Sequence, residues 1–161
     1  MKYPLDFYTQ YGQFYICDKD SENDTGKDSF WTSDAFNDRL AIGTGVLGIG
    51  TECYGPVKGE LEILDFSRTI TDLDEYDHVV EGDLEINSGV IQILDCPNSI
   101  VELELTVPPG NYRVRIYSSN LASVEGDEGD DFYKIEIWRG LSTERKVFKR
   151  YNRPGANYKN N

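Results

Sequence analysis

The side chains with the widest chemical scope in this 161-residue chain are its carboxylates. Asp and Glu number 29 against 16 Lys and Arg, a net charge of −13. They gather in two polar stretches, Asp18-Lys-Asp20-Ser-Glu22-Asn-Asp24 and Glu125-Gly-Asp127-Glu-Gly-Asp130-Asp131. Oxygen donors this dense can hold calcium, work as a general acid and base, or present charge to a cationic partner. The first stretch fails as an EF-hand loop. Counted from Asp18, its sixth and twelfth positions are Asn23 and Ser29, where the loop needs glycine and glutamate. The second stretch leaves three readings open: a calcium site of another kind, a solvated loop, and a carboxylate surface for a basic protein. Paired-carboxylate hydrolysis is a further reading, although most acids on so acidic a chain are simply exposed.

Other chemistry is thinner. Asp77-His78 has the look of part of a triad, but no GxSxG supplies an activated nucleophile, and a lone histidine beside a strand reads as structural. Gly43-Thr-Gly45-Val-Leu-Gly48 matches GxGxxG literally. A dinucleotide site needs a strand before these glycines and a helix after them, and here the order is inverted. Cys17, Cys53 and Cys96 are odd in number and widely spaced, with no CxxC. They read as reduced, core-filling thiols, which suits the cytoplasm. Phe30, Trp31 and Phe36 are either a ligand-stacking cluster or, the better reading, anchors beside a helix. No metal and no cofactor is expected.

The elements that position these residues are short strands between turn signals. Tyr11–Cys17, Val46–Cys53, Val57–Leu64, Tyr76–Ile86, Val90–Leu94, Ile100–Val107, Tyr112–Tyr117 and Phe132–Trp138 read as strands, with a further one over 145–151. In the fourth, Val80, Gly82, Leu84 and Ile86 share one face and Glu81, Asp83 and Glu85 the other. Asn87-Ser88-Gly89 and Pro108-Pro109-Gly110-Asn111 are turns. The lone helix is predicted near residues 33–41, with Ser33 as N-cap and Ala35, Phe36, Leu40 and Ala41 on its apolar side. The fold class predicted is all-β, an antiparallel β-sandwich or open barrel with that one short helix.

Hydrophobic residues make up 39% of the chain, enough for a core at this length without a disulfide or metal. No apolar run approaches a membrane span, and the first residues lack the apolar stretch of a signal peptide. Residues 1–138 carry 9 basic and 28 acidic residues, a net of −19, and residues 139–161 carry 7 basic and one acidic, a net of +6. The chain therefore divides into an acidic β-sandwich domain, 1–138, and a basic C-terminal extension, 139–161, packed back on the body or free as a docking arm. The charge argues against nucleic acid as a partner and the hydropathy against a membrane.

Three blocks carry a family resemblance. Tyr11-Gly-Gln-Phe-Tyr-Ile-Cys-Asp-Lys-Asp-Ser21, then Phe30-Trp-Thr-Ser-Asp-Ala35 and a glycine-rich strand, resemble the competence protein J type of DNA-entry nuclease inhibitor. Residues 75–89, and Val107–Tyr117 followed by Gly126–Trp138, are similar to a group of small bacterial immunity-like proteins. The resemblance implies a cytoplasmic bacterial protein that binds and neutralises a toxic enzyme, a basic nuclease, and is not itself an enzyme. Charge and loop position then single out Asp127, Glu128, Asp130 and Asp131 as exposed partner-binding acids. Asp18, Asp20 and Trp31 form a second candidate patch. The alternative function is a β-sandwich module for a small ligand or carbohydrate, with calcium at an acidic loop.

Overall fold

The computed structural model describes residues 1–22 and 25–152. Asp24, Arg153 and Lys159, part of the acidic stretch and of the basic extension read from the sequence, lie outside the described residues. Among the described residues eleven strands make two sheets over a common core. In chain order they are β1 (Lys2–Tyr8), β2 (Gln13–Asp18), β3 (Leu40–Gly43), β4 (Val46–Gly50), β5 (Pro56–Ile63), β6 (His78–Ile86), β7 (Val90–Leu94), β8 (Val101–Thr106), β9 (Gly110–Ser119), β10 (Phe132–Arg139) and β11 (Lys146–Lys149). One sheet runs β1-β5-β10-β9-β6-β11 and the other β3-β4-β2-β7-β8.

Two-residue alternation builds the core. Val80 and Leu84 on β6, Val114 and Ile116 on β9, and Ile135 and Ile137 on β10 point inward from the six-stranded sheet. Phe14, Ile16, Leu47, Ile49, Ile91 and Ile93 meet them from the other. The all-β sandwich expected from the sequence is what forms. One pairing departs from an antiparallel plan: β10 lies parallel to β5, with Ile135 opposite Leu61. Strands β6 to β9 lie between the two in sequence, so no hairpin dictates their direction.

The helix is shorter than the sequence suggested. It is α1 (Ser33–Asp38), and Thr32 rather than Ser33 caps it, with Thr32 Oγ1 accepting from Ala35 N at 3.1 Å. Arg39 adopts a left-handed conformation, φ 59°, and ends it. Leu40 and Ala41 then belong to β3, where both are buried. Phe36, expected on the apolar side, is 66% exposed, and Ala35 alone of the helix is buried.

The GxGxxG segment is a β3–β4 hairpin. Gly43 pairs with Val46, and Gly45 turns at φ +68°. Residues 145–151 are docked on the body. β11 pairs with β6, and Arg145 and Arg150 both bond Asp38, at 2.6 and 2.5 Å. Among the described residues no helix is long and apolar enough to cross a membrane.

Candidate partner-binding surface

The second acidic stretch is a tight, ordered hairpin. Glu125 N donates to Glu128 O at 2.8 Å, and Glu128 N donates back at 3.1 Å. Gly126 makes the turn possible with φ +64°. Ser123 Oγ accepts from Asp130 N at 2.8 Å and donates to Asn120 O at 2.6 Å. The result is a fixed platform holding Asp127, Glu128 and Asp130 in solvent.

Asp131 is a correction to the sequence reading. It is 5% exposed and faces inward. Its Oδ2 accepts from Cys53 N at 3.2 Å and from the Tyr133 hydroxyl at 2.6 Å. Burial first, and then this carboxylate, push the Tyr133 phenol well above its usual range. Tyr133 in turn accepts from Glu52 N at 2.7 Å. Asp131 therefore ties residues 52–53 to the start of β10 and is not the exposed acid expected from the sequence.

Segment 52–54 joins the acidic hairpin to a cleft. Tyr54 N donates to Gly126 O at 3.2 Å, and Tyr54 lines a cavity of about 530 Å³. Tyr11 and Tyr54 meet edge to face at 6.2 Å, and Trp31 and Phe36 pack at 5.1 Å. Tyr11, Tyr54 and Phe36 are 60%, 54% and 66% exposed, which is unusual for three aromatics in one cleft. On the same cleft Arg39 pairs with Glu52 and lies 5.6 Å over the Tyr151 ring.

Trp31 is placed by glycine. A Cβ on Gly48 would come within 2.8 Å of the indole and 2.9 Å of Phe30, so only glycine lets these rings lie on β4. The Trp31 Nε1 donor is buried and lacks a hydrogen-bond partner, the one such side-chain atom among the described residues.

Asp18 is the second correction. It is 4% exposed and accepts from Asn87 N at 3.0 Å, from Ser88 N at 3.2 Å and from the Ser88 hydroxyl. Burial alone would raise its pKa, but the Ser88 hydroxyl and the two amides outweigh it and hold the carboxyl below its usual range. Asp18 organises the β6–β7 turn. Asp20 is exposed beside it and lines a separate depression with Ser21, Glu22 and Gly45. Trp31 does not join Asp18 and Asp20. It lies over Gly48, farther along β4, and faces the cleft by the acidic hairpin. Sequence reasoning missed Tyr11, Tyr54 and Tyr151 as cleft residues, because they converge from three distant segments.

His78 is structural. Its Nδ1 accepts from Tyr151 N at 3.1 Å, so the neutral ring carries its proton on Nε2, which donates to Asp38 O at 2.8 Å. Burial lowers its pKa to about 4. The three cysteines are free and buried, and burial followed by the Asp18 charge pushes the Cys17 thiol up to about 11, an unreactive value.

A further set of charges lies on the outer face of the six-stranded sheet. Glu81 stands opposite Arg115, and Asp83 opposite Arg113. Glu81 accepts from both Arg113 and Arg115 at 2.8 Å, and the Tyr117 hydroxyl donates to Glu136 at 2.6 Å. Arg68 reaches Glu62 at 2.7 Å and Glu136 at 3.2 Å. These arginines do point away from the core, as alternation requires, yet Arg113 and Arg115 are buried.

An all-β sandwich with one short helix, an ordered acidic hairpin and an open aromatic cleft is the class of molecule this geometry defines. Its fold is that of ComJ. The chain is similar to the crystal structure of ComJ, inhibitor of the DNA degrading activity of NucA, from Bacillus subtilis, with a TM-score of 0.66 and 19% identity over 86% of this chain and 96% of that one. It is also similar to a structure described as crocagin biosynthetic gene J, with a TM-score of 0.56 and 18% identity over the same shares. No protein-family profile and no curated relative matches the chain.

Proposed function

We propose that this protein is an inhibitor or immunity protein of the bacterial cytoplasm that binds a toxic nuclease and occludes its active site. It acts as a binding protein and not as an enzyme. The observation that carries this reading is the acidic hairpin: a hydrogen-bonded turn that presents Asp127, Glu128 and Asp130 in solvent, without an ion pair among the described residues, next to exposed aromatics. Nuclease active sites are cationic where they hold phosphates. Carboxylates on a backbone already held in place compete for those cations at a smaller ordering cost, and aromatic anchors supply the desolvated contact that makes an interface tight. The ComJ fold, which in its own case serves nuclease inhibition, supports the same reading.

Its test is a DNA-degradation assay in which the purified chain is titrated against NucA and against basic nucleases encoded by the host. Stoichiometric protection of DNA is expected, weakened by salt and by combined Asp127→Asn, Glu128→Gln and Asp130→Asn substitution. Undiminished degradation at large molar excess in low salt would sink the reading.

A further inference from the structure

We propose that the cleft between Trp31 and Tyr54 receives an arginine of a bound protein, its guanidinium stacked on the aromatic walls and its backbone carbonyl accepting from Trp31 Nε1. The cavity, about 530 Å³, is within the roughly 300–1,000 Å³ typical of ligand sites and leaves ample room for one side chain. Two aromatic pairs are among its lining, Trp31 with Phe36 and Tyr11 with Tyr54. Such walls favour a planar, weakly hydrated cation over a strongly hydrated ammonium.

The cleft already shows this chemistry once. Arg39 is held between the Tyr151 ring and Glu52, so its own charge is compensated and does not repel a second cation. The neighbouring hairpin adds Asp127 and Glu128 on the side where Tyr54 is bonded to Gly126. The net charge of −13 favours a cationic occupant throughout.

Trp31 narrows the occupant further. Its unpartnered donor leaves a buried polar group unsatisfied, and a guanidinium has no acceptor to offer it. A peptide arginine supplies both the cation and a carbonyl. Phe36, packed on the indole and 66% exposed, stands at the solvent side of that ring. That the peptide belongs to an inhibited enzyme rests on the function proposed above; the chemistry of the cleft does not.

The experiment uses the full chain labelled with ¹⁵N. The protein has two tryptophans, so its spectrum holds two indole resonances, and Trp31→Phe identifies one by its loss. The probes are acetyl-Gly-Arg-Gly-amide and the same peptide with citrulline, an uncharged near-isostere. The arginine peptide is expected to move the Trp31 indole resonance saturably at millimolar concentration, with the citrulline peptide at least fivefold weaker. Charge neutralisation at Asp127 and Glu128 should weaken binding without abolishing it. An unmoved Trp31 resonance while the amides of 125–130 shift would overturn the proposal, as would equal binding of citrulline. Arginine binding without any nuclease inhibition would count against the inhibitor reading alone.

Discussion

Two charged regions of this molecule put the same residue types to opposite uses. On the outer face of the six-stranded sheet, Glu81, Glu136, Arg113 and Arg115 are buried and bonded to one another across strands. In the hairpin at 125–130, Asp127, Glu128 and Asp130 are exposed, and only their backbone is held. In the first region the partners are built into the fold. In the second the fold fixes the positions and leaves the charges open. A buried pair contributes specificity and punishes the loss of either member, whereas an exposed carboxylate contributes almost nothing to stability and much to encounter.

Substitution should separate the two regions sharply. The largest effect is expected for Arg115→Met, which strips Glu81 of one of its two buried partners. A loss of about 3 kcal/mol is expected, seen by calorimetry as a melting temperature lower by roughly 10 °C. A variant as stable as the parent would show that the outer face is not an ion-pair lattice.

Next comes acid. His78 is held near 4 in the folded protein and titrates near 6.5 when unfolded, so between those values the unfolded chain binds the additional proton. Stability should therefore fall as pH drops from about 6.5 towards 4, by about 3 kcal/mol in all. Asp18 and Asp38, both held below their usual range, lose their contributions only at lower pH still. Denaturant midpoints between pH 6.5 and 4.5 isolate the histidine, and His78→Asn should flatten that slope.

Asp18 and Asp20 form an internal control two residues apart. Asp18→Asn should cost about 1–3 kcal/mol, because it weakens bonds to the Asn87 and Ser88 amides. Asp20→Asn should stay within about 0.5 kcal/mol. Equal effects in chemical denaturation would erase the distinction between structural and open acids.

The smallest stability change is expected for Asp127→Asn with Glu128→Gln and Asp130→Asn, within about 0.5 kcal/mol per site. Association with the cationic partner should nonetheless slow about tenfold at low salt, a difference that fades as salt rises. Stopped-flow mixing reads both.

Much of the scaffold was legible because alternation survives wherever one face is buried. Val80, Leu84 and Ile86 against Glu81, Asp83 and Glu85 is such a case, and so is the turn at Asn87-Ser88-Gly89. β1 escaped notice, since an edge strand containing Pro4 and burying only Leu5 and Phe7 leaves a weak pattern. The helix end was obscure because Arg39 adopts a left-handed conformation that sequence readers expect of glycine. The acids were the hardest. Asp131 and Asp130 look alike on paper, and what separates them is Cys53, a backbone donor 78 residues away. Asp18 likewise is decided by Asn87 and Ser88, and no local pattern announces either partner.

The parallel contact of β10 with β5 has a consequence for how the chain assembles. Among the described residues β10 is the only strand joining β1 and β5 to β9, β6 and β11. Until residues 132–139 have left the ribosome, the paired β1 and β5 cannot join the rest of their sheet, and the open edges of β5 and β9 wait for β10. A pairing this distant in sequence is intrinsically slow to close. The growing chain is therefore most prone to stick to its neighbours late in synthesis, and a nascent chain truncated before residue 132 should be recovered with chaperones or in aggregates.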